Sequence, residues 1–161
     1  MTRFHLPLER RIRLGLLALV ASISPWTVQA QTEGGLYIAG AGFSFEQAAN
    51  DGLSRNPGGQ RFFLLALPPE TEALTAKAPK ALAAVRERVV AGNGVLLVCK
   101  RDIESSAVDA SKLVPGVTAV RGWPPRGSDA LPPGQRHYAD EDPARLPQAD
   151  ELLRRLRTTC S

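Results

Sequence analysis

Arg61 to Leu67 reads RFFLLAL and Val95 to Lys100 reads VLLVCK, two runs of strand length that are apolar at nearly every position. A strand with one wet face alternates apolar and polar residues, so a strand without that alternation must be covered on both faces. Leu36 to Ala39 (LYIA) and Val117 to Val120 (VTAV) are shorter runs of the same kind. Segments with helical spacing lie between them, so strands and helices alternate four times. This pattern predicts an α/β fold, a three-layer sandwich with a mostly parallel sheet of about four to five strands.

Turn and cap residues divide the runs. Gly40-Ala41-Gly42 turns the chain after the first strand, and Ser44 is placed to cap a helix whose Phe45, Ala48, Ala49 and Leu53 share one face. Asn56-Pro57-Gly58-Gly59 ends that helix. After Pro68-Pro69, Thr71 to Ala78 has helical composition. A helix is then expected from Pro79 or Lys80, because proline is tolerated in a first turn. Its buried face would be Leu82, Val85, Val89 and Val90, with Arg86 and Arg88 toward solvent, and Gly92-Asn93-Gly94 stops it. Ser105 or Ser106 starts a short helix to Lys112, and Pro115-Gly116 turns the chain. Residues 122–147 are rich in proline and glycine. They are expected to run extended over the surface, with Asp140-Glu141-Asp142 as a solvated acidic turn. Asp150 to Thr158 then forms an amphipathic helix with Leu152, Leu153 and Leu156 on one face, so that residues 148–161 pack on the domain formed by residues 31–121.

The formal charge of +4 points toward nucleic acid or an anionic membrane only until the chain is divided. Four arginines against Glu9 give the first thirty residues a net +3, which leaves +1 for the rest. With aromatic residues at only 6%, no nucleic-acid partner is expected. The first thirty residues have the three parts of a secretory signal: a positive region to Arg13, an apolar stretch from Leu14 to Ser24, and small residues at Val28 and Ala30 ahead of a cut before Gln31. The apolar stretch is shorter than the roughly 20 residues that span a bilayer, although an uncleaved N-terminal anchor is the alternative. Arg10-Arg11 leaves twin-arginine export open beside ordinary export. The mature protein is expected to be periplasmic or secreted, with no stable membrane span after cleavage.

Both cysteines, Cys99 and Cys160, lie beyond the cut. In an oxidising compartment an even pair reads as a candidate disulfide. The alternative is a buried strand cysteine at Cys99 and a free thiol in the tail at Cys160. Two cysteines exclude a four-cysteine zinc site, and His137 is the one histidine beyond the signal, in a loop where solvation is its expected state. No metal and no cofactor are expected. The turn GAGFS (Gly40 to Ser44) lacks both the full dinucleotide-binding spacing and the lysine of a phosphate-binding loop. Neither the Gly-x-Ser-x-Gly elbow nor HExxH occurs.

From Lys80 to Trp123 the chain reads KALAAVRERVVAGNGVLLVCKRDI and then SKLVPGVTAVRGW. This segment resembles the DsrE-like family of small α/β proteins. Its resembling positions are Gly94, Cys99, Leu113, Pro115, Gly116, Val117, Val120 and Gly122. Phe45 to Leu67 fits the family's first helix and second strand more loosely, and the pattern is lost after Gly122. The resemblance implies a three-layer sandwich and makes a homo-oligomer an expected partner state. In the family's sulfur-relay members, a cysteine at the position resembling Cys99 carries a persulfide.

Cys99 stands at the carboxyl end of an expected parallel strand, where open α/β sheets gather their reactive groups. Lys100 and Arg101 follow it as candidate thiolate stabilisers, since a nearby cation favours the nucleophilic form of a thiol. Cys99 is therefore the candidate thiol nucleophile, with packing as a small hydrophobe the alternative. Trp123, beside Pro124-Pro125, is a candidate partner-binding residue or a pin that holds the loop to the core. Two functions remain in view. One is an exported DsrE-like domain handling thiols or sulfur through Cys99, and the other is a non-catalytic binding or assembly component of a cell-envelope machine.

Overall fold

A computed structural model describes residues 33–124 and 131–161. The expected signal segment 1–30, and residues 125–130 of the proline-rich stretch, lie outside the described residues. The sheet consists of β1 (Leu36–Ala39), β2 (Phe62–Ala66), β3 (Gly94–Cys99) and β4 (Thr118–Val120). All pairings are parallel and the strand order is β1-β2-β3-β4. Four helices accompany it: α1 (Phe45–Arg55), α2 (Lys80–Ala91), α3 (Lys100–Glu104) and α4 (Asp150–Thr159). No helix among the described residues is long and apolar enough to cross a membrane.

The apolar runs divide their side chains by parity between two cores. On one face Phe62, Leu64, Ala66, Leu96 and Val98 meet Phe45, Ala48 and Ala49 of α1 and Val85 and Val89 of α2. On the other, Phe63, Leu65, Leu97, Cys99 and Val120 meet Leu146, Leu156 and Cys160. The three layers are thus α1 with α2, the sheet, and α4 with the segment leading into it. At the start of α1, the Gln47 N–H donates to Ser44 Oγ (3.2 Å) and the Ser44 N–H to Gln47 Oε1 (2.9 Å), a reciprocal cap.

Several local expectations change. Thr71 to Ala78 is not a full helix: a 3-10 helix covers Glu70–Leu74. The next residues pair instead with 112–114, the Ala76 N–H donating to the Lys112 carbonyl and the Val114 N–H to the Leu74 carbonyl (both 2.9 Å). Val90 is 57% exposed because it lies one residue further round α2 than Val89, outside the Val85–Val89 stripe. Arg86 turns back from solvent and donates to the carbonyls of Ala73 and Thr75 (2.8 and 2.9 Å), which the short 3-10 helix leaves without helical partners. The helix expected from Ser105 to Lys112 is split. α3 begins directly after β3 at Lys100 and ends before Ser106, whose φ of 61° breaks a right-handed helix, and a 3-10 turn follows at Ala110–Lys112. Residues 131–147 are not simply extended over the surface. They contain a 3-10 turn at Pro143–Arg145 and bury Leu146 and Pro147.

Candidate functional site

In a parallel sheet all carboxyl ends share one edge, and the segments leaving them build whatever site the fold carries. Cys99 and Val120 are partners in register at the ends of β3 and β4. From them the chain continues as Lys100-Arg101 and as Arg121-Gly122-Trp123. α4 returns to the same place and ends at Cys160-Ser161. The Trp123 N–H donates to the Arg157 carbonyl (3.3 Å) and to Ser161 Oγ (3.0 Å). A Cβ at Gly122 would overlap the Cys160 carbonyl, so the close approach of the two backbones needs glycine there.

Cys99 and Cys160 are joined as a disulfide, with Cα atoms 5.1 Å apart. Cys99 is 0% exposed and Cys160 2%. Beside the bond lies a cleft of about 540 Å3, lined among others by Lys100, Arg101, Arg121, Trp123, Tyr138 and Cys160. Cys160 contributes to that lining and Cys99 does not.

The cleft's cations are already matched to anionic or carbonyl groups of the protein. Lys100 Nζ and Arg121 (3.2 Å) both bind Asp140 Oδ2. Those two hydrogen bonds, from Lys100 first and then Arg121, hold the Asp140 carboxyl down at about 2, and the Asp140 bond in turn raises Arg121. Arg101 binds Asp102 (3.2 Å) and the Ser161 carbonyl.

Behind the cleft a buried clasp ties the proline-rich segment to α4. Arg157 (0% exposed) makes a bidentate pair with Glu141 (4%), through Nη1 to Oε1 at 3.0 Å and Nη2 to Oε2 at 2.7 Å. The same guanidinium donates to the carbonyls of Arg121 (2.7 Å) and Arg136 (2.8 Å) and stands over the rings of Tyr138 (5.0 Å) and Trp123 (5.5 Å). Glu141 also accepts from the N–H groups of Arg121 and Tyr138, both at 3.1 Å. Burial alone would raise the Glu141 carboxyl. The Arg157 hydrogen bonds, the Arg121 N–H and the Arg157 charge outweigh it and hold the carboxyl below its ordinary range.

The sequence-predicted residues therefore meet: the two cysteines form the candidate disulfide, and the reading of Cys99 as a free nucleophile is the one that changes. Cys99 has no free thiol, because its sulfur is bonded to Cys160 and enclosed in the sheet core. Lys100 and Arg101 border the cleft, yet bind Asp140, Asp102 and Ser161. Trp123 is 39% exposed, with one side of its ring against Arg157. The acidic triplet is solvated only at Asp140 and Asp142, since its central carboxylate, Glu141, is the buried partner of Arg157. His137 is half-buried rather than solvated, and burial, then the charges of Arg157 and Arg136, lower its pKa. Sequence reasoning missed Arg157, Glu141, Tyr138 and Arg121 as site residues. A signal was present: Arg157 falls four residues after Leu153 and three before Cys160, inside the apolar stripe of α4. Among the described residues no cluster of His, Cys, Asp and Glu side chains could hold a metal ion. No protein-family model matches the chain and no curated protein is similar to it.

Proposed function

We propose that this chain is an exported, non-catalytic binding or assembly domain of DsrE-like type. In this reading the cleft at the ends of β3 and β4 is its contact with a protein partner or a second copy of itself, and the disulfide is its structural lock. The observation that carries this is the position of the Cys99–Cys160 bond. A sulfur relay works through a free thiolate, whereas both sulfurs here are bonded to one another and nearly inaccessible. The same bond supports export to the periplasm or beyond, because disulfides persist in oxidising compartments. Trp123 and Tyr138 give the cleft aromatic surface beside charged groups, the composition of a contact surface more than of a reaction centre.

The second reading is thiol or sulfur handling through Cys99 after reduction, with Lys100 and Arg101 as its cationic neighbours. It is favoured by the cleft bringing Lys100 and Arg101, the two expected thiolate stabilisers, to the same lining as Cys160.

Thiol counting on the purified protein separates the two. The binding reading expects no alkylated cysteine without reductant, native or unfolded, and two after reduction and unfolding. One rapidly alkylated native thiol, lost in Cys99→Ser, would overturn it in favour of sulfur handling. A photo-crosslinking residue at Glu104, which borders the cleft, should then give a discrete adduct in cells that the same residue at exposed Glu87 on α2 does not. Equal adducts from both positions would remove the cleft as the contact surface.

A further inference from the structure

We infer that His137 is an acid-operated latch: uncharged, it lets residues 136–141 close on Arg157, and protonated, it releases them and opens one wall of the cleft. Neither the disulfide nor any partner is needed for this. His137 stands between two ties of the buried clasp. On one side of it the Arg136 carbonyl accepts from Arg157 Nη2 (2.8 Å), and on the other the Tyr138 N–H donates to Glu141 Oε2 (3.1 Å). The Nε2 atom of His137 is enclosed and has no hydrogen-bond partner among the described residues.

The charges that act on the ring come from both elements of the clasp. Arg157 belongs to α4, and Arg136 and Glu141 to the segment that carries His137. Glu141 is already bound by Arg157 through both oxygens, and Asp150, at the start of α4, pairs with Arg136 (2.9 Å). In the neutral ring Nε2 can stay a bare acceptor, whereas an imidazolium carries N–H at both nitrogens. A proton taken from solvent therefore creates an enclosed donor without an acceptor, and a third positive charge beside two guanidiniums. Burial first, and then the Arg157 and Arg136 charges, hold the His137 pKa below its ordinary 6.5 against the opposing pull of Glu141. The added charge acts on the clasp directly, because Arg157 is its centre and the residue that must move lies between its two ties. His137 also lines a second hollow, of about 570 Å3, with Arg136, Tyr138, Glu141 and Gln148, which leaves room for that movement. Tyr138 and Asp140 line the cleft, and Asp140 anchors Lys100 and Arg121, so release of the segment removes one cleft wall and frees both cations.

Because the folded pKa lies below 6.5, closure has its full advantage above 6.5 and loses it as pH falls from there through the folded value. Glu141, whose carboxyl is held below 4.5, stays ionised down to about pH 5, so the two acid effects separate. The test is amide exchange by NMR on the purified protein at about pH 7 and pH 5, corrected for the intrinsic pH dependence of exchange. The Tyr138 amide is expected to lose protection several-fold at the lower pH, while amides of α1 and β2 keep theirs. His137→Gln, which cannot take the charge, should show the same Tyr138 protection at both values, and His137→Lys should already show the lower protection at pH 7. Unchanged Tyr138 protection in the wild type, an equal loss in His137→Gln, a closed segment in His137→Lys, or a loss shared equally by α1 and β2 would each overturn the latch. Ring-proton titration of the wild type decides even where a variant does not fold: a His137 pKa below 6.5 is expected, and one at or above 6.5 would overturn the inference.

Discussion

Arg157 is the side chain whose position is least expected from composition and best explained by its neighbours. A guanidinium removed from water is tolerated only when its charge is matched and most of its donors are met, and here a carboxylate and two carbonyls meet both terminal nitrogens while two aromatic rings face the charge, leaving Nε as its one donor without a hydrogen-bond partner. Arg157→Leu is expected to cost about 3–5 kcal/mol in urea unfolding, since it leaves the Glu141 carboxylate buried and unpaired. The double variant with Glu141→Leu should recover part of that loss, and a simple sum of the single effects would deny the pairing. The sign with pH follows from Glu141. Its carboxyl is depressed in the folded state, so its contribution is complete above the ordinary carboxyl value of 4.5 and is lost as pH falls through the lower folded value. Melting temperatures between about pH 5 and pH 2 should therefore drop more steeply for the wild type than for Glu141→Gln, which starts lower and has nothing to protonate at that position. Gly122→Ala, which would press a methyl group on the Cys160 carbonyl, should cost about 1–3 kcal/mol by the same unfolding measurement. The sequence pointed to Gly122 through resemblance and to Cys99 through strand position. It concealed Glu141 inside an acidic triplet because spacing along the chain does not say which of three carboxylates turns inward.

The elements were legible wherever a local signal decides them. The Ser44 cap, the Gly92-Asn93-Gly94 stop and the unbroken apolar runs of β2 and β3 need no tertiary information, and they stand within a residue or two of their expected places. Expectations failed where a distant segment competes for the backbone, as when residues 112–114 pair with Leu74 and Ala76 and the helix stops at Leu74. α4 belongs to the second kind energetically, although its pattern was plain. It has ten residues, too few to be stable alone in water, so its order depends on what holds it to the sheet. The disulfide closes a separation of 61 residues, a constraint worth about 4 kcal/mol in the chain-entropy model. The Cys99→Ala/Cys160→Ala double variant should lose roughly that much stability. Hydrogen exchange should show the earliest loss of protection in α4, ahead of α1 and α2. Uniform loss across all helices would mean that the clasp of Arg157 and Glu141 suffices to hold α4 without the bond.

The strand order makes residues 122–161 indispensable to the whole molecule. Crossovers between neighbouring parallel strands are almost always right-handed. In the order β1-β2-β3-β4 each crossover steps the same way, so α1 and α2 must fall on the same face, and their side chains do share one core. Nothing in residues 33–121 is left to form a helical layer on the other face, where Phe63, Leu65, Leu97 and Val120 point. The sequence showed that both faces of the strands needed cover, but not that one helix after a long proline-rich segment would cover the second. The topology is what makes that segment necessary, because the chain must pass from the end of β4 to the second face of the sheet before α4 can cover it. A chain ended after Arg121 keeps every strand and both helices of the first layer, yet leaves those four sheet residues without the cover of Leu146 and Leu156. It is expected to bind a hydrophobic dye, to melt without a cooperative transition and to aggregate, while residues 31–161 melt as one unit. A cooperative, dye-free fold in the shorter chain would mean that residues 122–161 only decorate a self-sufficient α/β domain, and the disulfide would then be an accessory to the fold instead of its lock.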